Sequence, residues 1–141
     1  MNLTTGGTAA LPYGAQAGVV VTALIDCAKT PLAAAAHEIF NVPAGTFVAK
    51  VSYRVIKADT GSSTRTFDIG DGVDPDGFAD GIDAKTIAHG AMAPALTEGT
   101  PNTPTGYSLG KFYAAADTID LTPVQALSDA VIEVKALMFG L

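Results

Sequence analysis

The side chains in this sequence that could do chemistry are mostly aspartates. Asp68, Asp71, Asp74, Asp76, Asp80 and Asp83 fall within sixteen residues, with no Lys or Arg among them. Carboxylates at short spacing on a turn-rich loop offer oxygen ligands to a hard cation. The calcium candidates are Asp71, Asp74, Asp76 and Asp80, and the Asp74-Pro75-Asp76-Gly77 turn partly resembles a calcium loop. The spacing is not that of an EF-hand. Asp and Gly are also favoured in solvated turns, where Asp bonds its own backbone and Gly tolerates positive φ. Calcium and a solvated loop therefore both stay open. General acid catalysis fits poorly, because a catalytic carboxylic acid needs an apolar pocket to raise its pKa.

The remaining reactive groups are few. Cys27 lies in an apolar, β-branched run, where a free cysteine is usually a small core residue. His37 and His89 are the histidines, and no motif pairs either with Cys27. No serine-hydrolase elbow, zinc-protease helix, phosphate-binding loop or dinucleotide fingerprint is present. No catalytic residue is assigned and no cofactor beyond the calcium candidate is implied, so the chain reads as no enzyme. Tyr13, Tyr53, Tyr107, Phe112 and Tyr113 could form a sugar-stacking platform, but the chain has no Trp. Core or interface packing is the simpler use of these rings.

Composition narrows the partners. The chain has 141 residues, 48% apolar and only 16% charged, against a usual charged share of roughly 25%. The net charge is −6, and the eight basic residues are scattered singly, which excludes nucleic acid as a partner. No apolar run reaches membrane-spanning length, so no membrane is expected. One cysteine allows no internal disulfide, and the N-terminus has no signal-peptide pattern, so synthesis in a cytoplasm is expected. A chain this poor in charge often hides surface in an assembly. The apolar ending Leu137, Met138, Phe139 and Leu141 suits docking, either as a last core strand or against another subunit.

Short strands between Gly, Pro and Asp turns must position these residues. Residues 1–15 read as an extended N-terminal arm, and residues 16–141 as one domain. Gly18–Ala28 is apolar on both faces and reads as a strand covered on both sides. Glu38–Val42 is a strand ending at the Pro43-Ala44-Gly45 turn. In Phe47–Ala58, Phe47, Ala49, Val51, Tyr53 and Val55 alternate with Val48, Lys50, Ser52, Arg54 and Ile56, the period of a strand with one face on a core. Strands follow at Thr64–Ile69, Tyr107–Ala115, Thr118–Thr122 and Val131–Phe139, with Gly70–Asp83 as an acidic loop. Ala33–Ala36 supports one helical turn at most. The pattern predicts an all-β fold: a single antiparallel β-sandwich or jelly-roll domain.

Three segments carry a family resemblance: F-x-V-P-A-G-T-F-V-x-x-V-x-Y-x-V (Phe40–Val55), D-I-G-D-G-V-D-P-D-G-F (Asp68–Phe78) and G-K-F-Y-A-A-A-D-T-I-D-L-T (Gly110–Thr122). Together they resemble small virion structural proteins of tailed bacteriophages, in particular capsid decoration, or cement, proteins. The resemblance spans about residues 38–139 and rests on strand-and-turn patterns. It implies a β-sandwich or jelly roll, commonly a homotrimer, bound to the major capsid protein on the outside of an icosahedral head. It implies no catalytic residue. The alternative expectation is a glycan- or receptor-binding module of a phage head or tail fibre.

Overall fold

The computed structural model describes residues 18–87, 106–107 and 109–140. Residues 1–15, expected as an arm, lie outside the described residues. The strands are β1 (Val19–Asp26), β2 (His37–Val42), β3 (Thr46–Lys57), β4 (Thr66–Gly70), β5 (Ala79–Asp83), β6 (Lys111–Tyr113), β7 (Asp117–Pro123) and β8 (Val131–Gly140). They form two four-stranded sheets, ordered β1-β8-β3-β6 and β2-β7-β4-β5, with every pairing antiparallel. The pairs β1·β8, β2·β7, β3·β6 and β4·β5 are those of one long antiparallel ribbon folded over on itself. The all-β sandwich expected from the strand pattern is present.

The core lies between the sheets and is filled by alternate residues. Ile132, Val134, Ala136 and Met138 of β8 face Phe67, Ile69, Ile119 and Leu121 of the second sheet, all buried. Tyr53 meets Phe67 edge to face, centroids 6.0 Å apart. Cys27 is fully buried just beyond β1, where its amide donates to Ala130 O at 2.9 Å.

Several elements differ from expectation for identifiable reasons. In β3 a bulge at Ala49 shifts the pairing, because Val48 lies opposite Met138 and Lys50 opposite Leu137. The alternation changes phase there: Thr46 and Val48 point inward before the bulge, Val51, Tyr53 and Val55 after it. Phe47, expected on the core face, therefore points outward. Nor is β1 covered on both sides. It is the edge of its sheet, with Val20 59% and Leu24 64% exposed. The acidic loop contains β5, where Ala79 and Ile82 pack into the core opposite Ile69 and Phe67. The strand expected from Tyr107 to Ala115 shortens to three residues. The alanine run is irregular, while Leu32 before it bridges to Leu127.

Candidate functional site

The aspartates of the acidic loop have separate fates. Asp71 is buried, and its carboxylate accepts five hydrogen bonds. The amides of Val73 and Asp74 donate to Oδ1 at 3.0 Å each, as does the Tyr107 hydroxyl at 3.0 Å. Oδ2 takes the Tyr113 hydroxyl at 2.8 Å and the Lys111 ammonium. Lys111 Nζ also donates to the Tyr107 hydroxyl at 2.8 Å and lies over both tyrosine rings, 4.2 and 4.7 Å from their centroids. Burial works to raise the Asp71 carboxyl, but the bonds from Lys111, the Asp74 amide and Tyr113 outweigh it and hold it below the usual range. Burial likewise opposes the Lys111 charge, yet its bonds to Asp71 and Tyr107 leave it above the ordinary lysine value.

Asp74 and Asp76 lie together on the turn. The hydrogen bond between their side chains, with burial and mutual repulsion, pushes Asp74 upward. Asp80 is exposed on β5. Among the described residues no three His, Cys, Asp or Glu side chains are grouped so as to hold a metal ion. The aromatic platform is likewise dispersed: Tyr53 packs on Phe67, Tyr107 and Tyr113 hold Asp71, and Tyr13 lies outside the described residues. Burial, with Asp59, Asp26 and Asp129 nearby, pushes the Cys27 thiol up to about 11, which leaves it protonated at neutral pH. His89 lies outside the described residues.

The strands of the two sheets carry unlike charge. The second sheet's strands carry Glu38, Asp68, Asp80, Asp83, Asp117 and Asp120 and no Lys or Arg. Those of the first carry Lys50, Arg54, Lys57, Lys111 and Lys135 against Asp26 and Glu133. On the first sheet's outer face Arg54 and Lys135 share Glu133 at 2.9 and 3.4 Å, and Lys57 pairs with Asp129 at 3.2 Å.

That same face carries an apolar row. Phe112, Phe47 and Phe139 are cross-strand partners on β6, β3 and β8. Leu137 and Val20 are partners next to them, and the Leu137 and Phe139 side chains close over Gly18. Phe112 is 51% exposed. The ending residues thus divide, with Met138 in the core and Leu137 and Phe139 outside. Exposed aromatic and aliphatic side chains rimmed by charge mark contact surfaces. Sequence reasoning missed this row because the β3 bulge hides which of Phe47 and Val48 turns outward.

Two phage capsid structures contain chains of this fold. A chain in "Cyanophage Pam1 capsid asymmetric unit" matches with a TM-score of 0.62 and 17% identity, covering 99% of each chain. A chain in "Acidic stable capsid structure of Helicobacter pylori bacteriophage KHP30" matches with a TM-score of 0.51 and 14% identity, covering 89% of each chain. No family model matches the chain, and no curated protein matches it in sequence. At these identities the likeness establishes the fold.

Proposed function

We propose that this protein is a non-enzymatic virion structural protein that decorates an icosahedral phage capsid. It binds the outer surface of the major capsid protein as a homotrimer and stabilises the shell. The observation that carries this reading is the whole-chain match to a chain of the Pam1 capsid, 99% of both chains. The sheet orders β1-β8-β3-β6 and β2-β7-β4-β5 fit a jelly roll, two sheets made from one folded ribbon. The first sheet's outer face supplies the contact surface: an aromatic row for burial, with Lys50, Arg54, Lys57 and Lys135 to set partner and orientation.

Cosedimentation with expanded capsids tests the role, and light scattering on the purified protein tests the trimer. Saturable binding to capsids is expected. Failure to bind, or a stable monomer at micromolar concentration, refutes the corresponding part. Deleting residues 2–15 tests whether the expected arm contributes, by loss of capsid binding with the domain still folded.

A further inference from the structure

The outer face of the second sheet carries an oxygen-rich spot beneath the acidic turn, to which the sheet's four strands bring no Lys or Arg. Asp120 and Thr122 project from β7 on the face opposite the buried Ile119 and Leu121. Asp120 is 8% exposed, although it lies on an outer face. Its Oδ1, and Oγ1 of Thr122, are sealed from solvent and have no hydrogen-bond partner among the described residues. Buried polar atoms are nearly always paired, so two orphaned acceptors two residues apart on one strand need an explanation.

The surroundings supply more oxygen. Across the ladder Thr122 faces Asp68, and Asp120 faces Gly70 on one side and Glu38 on the other. Directly opposed residues share a face with Cβ atoms roughly 5 Å apart. A β-carbon at Gly70 would collide with the main-chain carbonyl oxygens of Asp74 and Pro75, so the acidic turn folds over this spot beside Asp120. Asp68 is held in place by the Gly81 amide, which donates to its Oδ1 at 2.7 Å. Burial, and the nearby Asp80 and Asp76, raise the Asp68 carboxyl. None of the four strands contributes a Lys or Arg.

We propose that this spot binds one calcium ion, with Asp120 and Thr122 as ligands and Asp68 and the Pro75 carbonyl adding oxygens, the Asp74 carbonyl being already taken by the amides of Asp71 and Gly77. A hydroxyl, carboxylates and a main-chain carbonyl, with water, form a ligand set calcium accepts, and its irregular geometry tolerates a shell drawn from a strand pair and a turn. The site differs from the sequence-based set, in which Asp71 is turned away to Lys111. It is independent of any role on a capsid.

The test uses the full chain, stripped with EDTA and desalted, with calcium chloride as the only probe. Isothermal titration is expected to show one ion per chain, and calcium is expected to raise Tm by several degrees over EDTA. Asp120→Asn should abolish both, and Thr122→Val should weaken binding several-fold. If Asp120→Asn fails to fold, the Thr122→Val titration decides alone. No binding up to about 10 mM, beyond the weakest class of calcium module, overturns the site and leaves a buried water as the partner of Asp120 and Thr122. Calcium binding that survives Asp120→Asn, or is lost on Asp80→Asn instead, overturns it equally.

Discussion

Asp71 and Lys111 form an ion pair that ties the turn between β4 and β5 of one sheet to β6 of the other. The carboxylate is fully buried, so its attraction for the ammonium is little screened by water. Removing one partner of such a pair strands the other charge, which costs far more than the pair itself contributes. Asp71→Ala also leaves the hydroxyls of Tyr107 and Tyr113 without their acceptor. Urea unfolding should show a loss of about 3–5 kcal/mol for Asp71→Ala. Asp71→Asn keeps the shape and several acceptor contacts and should lose less. An Asp71→Ala protein within 1 kcal/mol of the parent would contradict the buried ion pair.

Asp59 performs a similar task at another loop and sets an acid limit. Its buried carboxylate accepts from the amides of Gly61, Ser128 and Asp129 at 2.9, 2.7 and 3.2 Å. Burial would raise its pKa, but these backbone bonds prevail and bring it down to about 2. The folded value lies below the ordinary 3.8, so the unfolded chain takes up the proton first as pH falls. The stabilisation is complete above about pH 5 and is lost as pH drops toward 2, amounting to about 2 kcal/mol. Melting curves from pH 6 to pH 2 should fall more steeply for the parent than for Asp59→Asn. Parallel curves would remove Asp59 from this role.

The sequence revealed the fold class and most of the strands because one-sided burial imposes a period of two. Ile119 and Leu121, and the inward run Ile132, Val134, Ala136 and Met138, are legible in that way. The bulge at Ala49 was not, because Phe47 and Val48 are both apolar and either could turn inward. β5 was hidden because its core residues Ala79 and Ile82 are separated by the exposed Asp80 and Gly81. In β1 the apolar Val20 and Leu24 suggest a strand covered on both sides, and its place at the sheet edge, which leaves them exposed, is set by pairings far away in sequence. The aspartate cluster was legible as composition alone. That Asp71 would reach Lys111, forty residues on, depends on the ribbon folding back, which spacing along the chain does not encode.

Gly110 holds the approach to β6 and so sets where Lys111 arrives. Its φ is 88°, a region that L side chains rarely adopt, and a β-carbon there would lie 2.6 Å from the Phe47 ring and 2.8 Å from Val48 O. Gly110→Ala should therefore destabilise by about 1–3 kcal/mol, the usual cost of a strained backbone. Gly72→Ala is the contrast. Among the described residues, no atom beyond its own chain neighbours lies within 4 Å of its added carbon, and its φ is not positive. It should change stability by no more than about 0.5 kcal/mol. Equal effects at the two glycines would remove the conformational argument.

The first sheet's outer face can be tested separately from the fold. Leu24 and Phe112 are 64% and 51% exposed, so their side chains add little to the core. Substituting exposed residues usually changes stability by within about 0.5 kcal/mol. The double variant Leu24→Asp, Phe112→Ser should therefore keep the parent's melting temperature to within a few degrees. It puts a charge and a hydroxyl where a partner would need apolar area, so association through this face should weaken by at least tenfold, or about 1.4 kcal/mol. Light scattering reads that loss for a second copy, and cosedimentation reads it for a capsid. A control at Asp83→Asn on the opposite sheet should leave both unchanged. A double variant that assembles and binds like the parent shows that the aromatic row is not the contact surface.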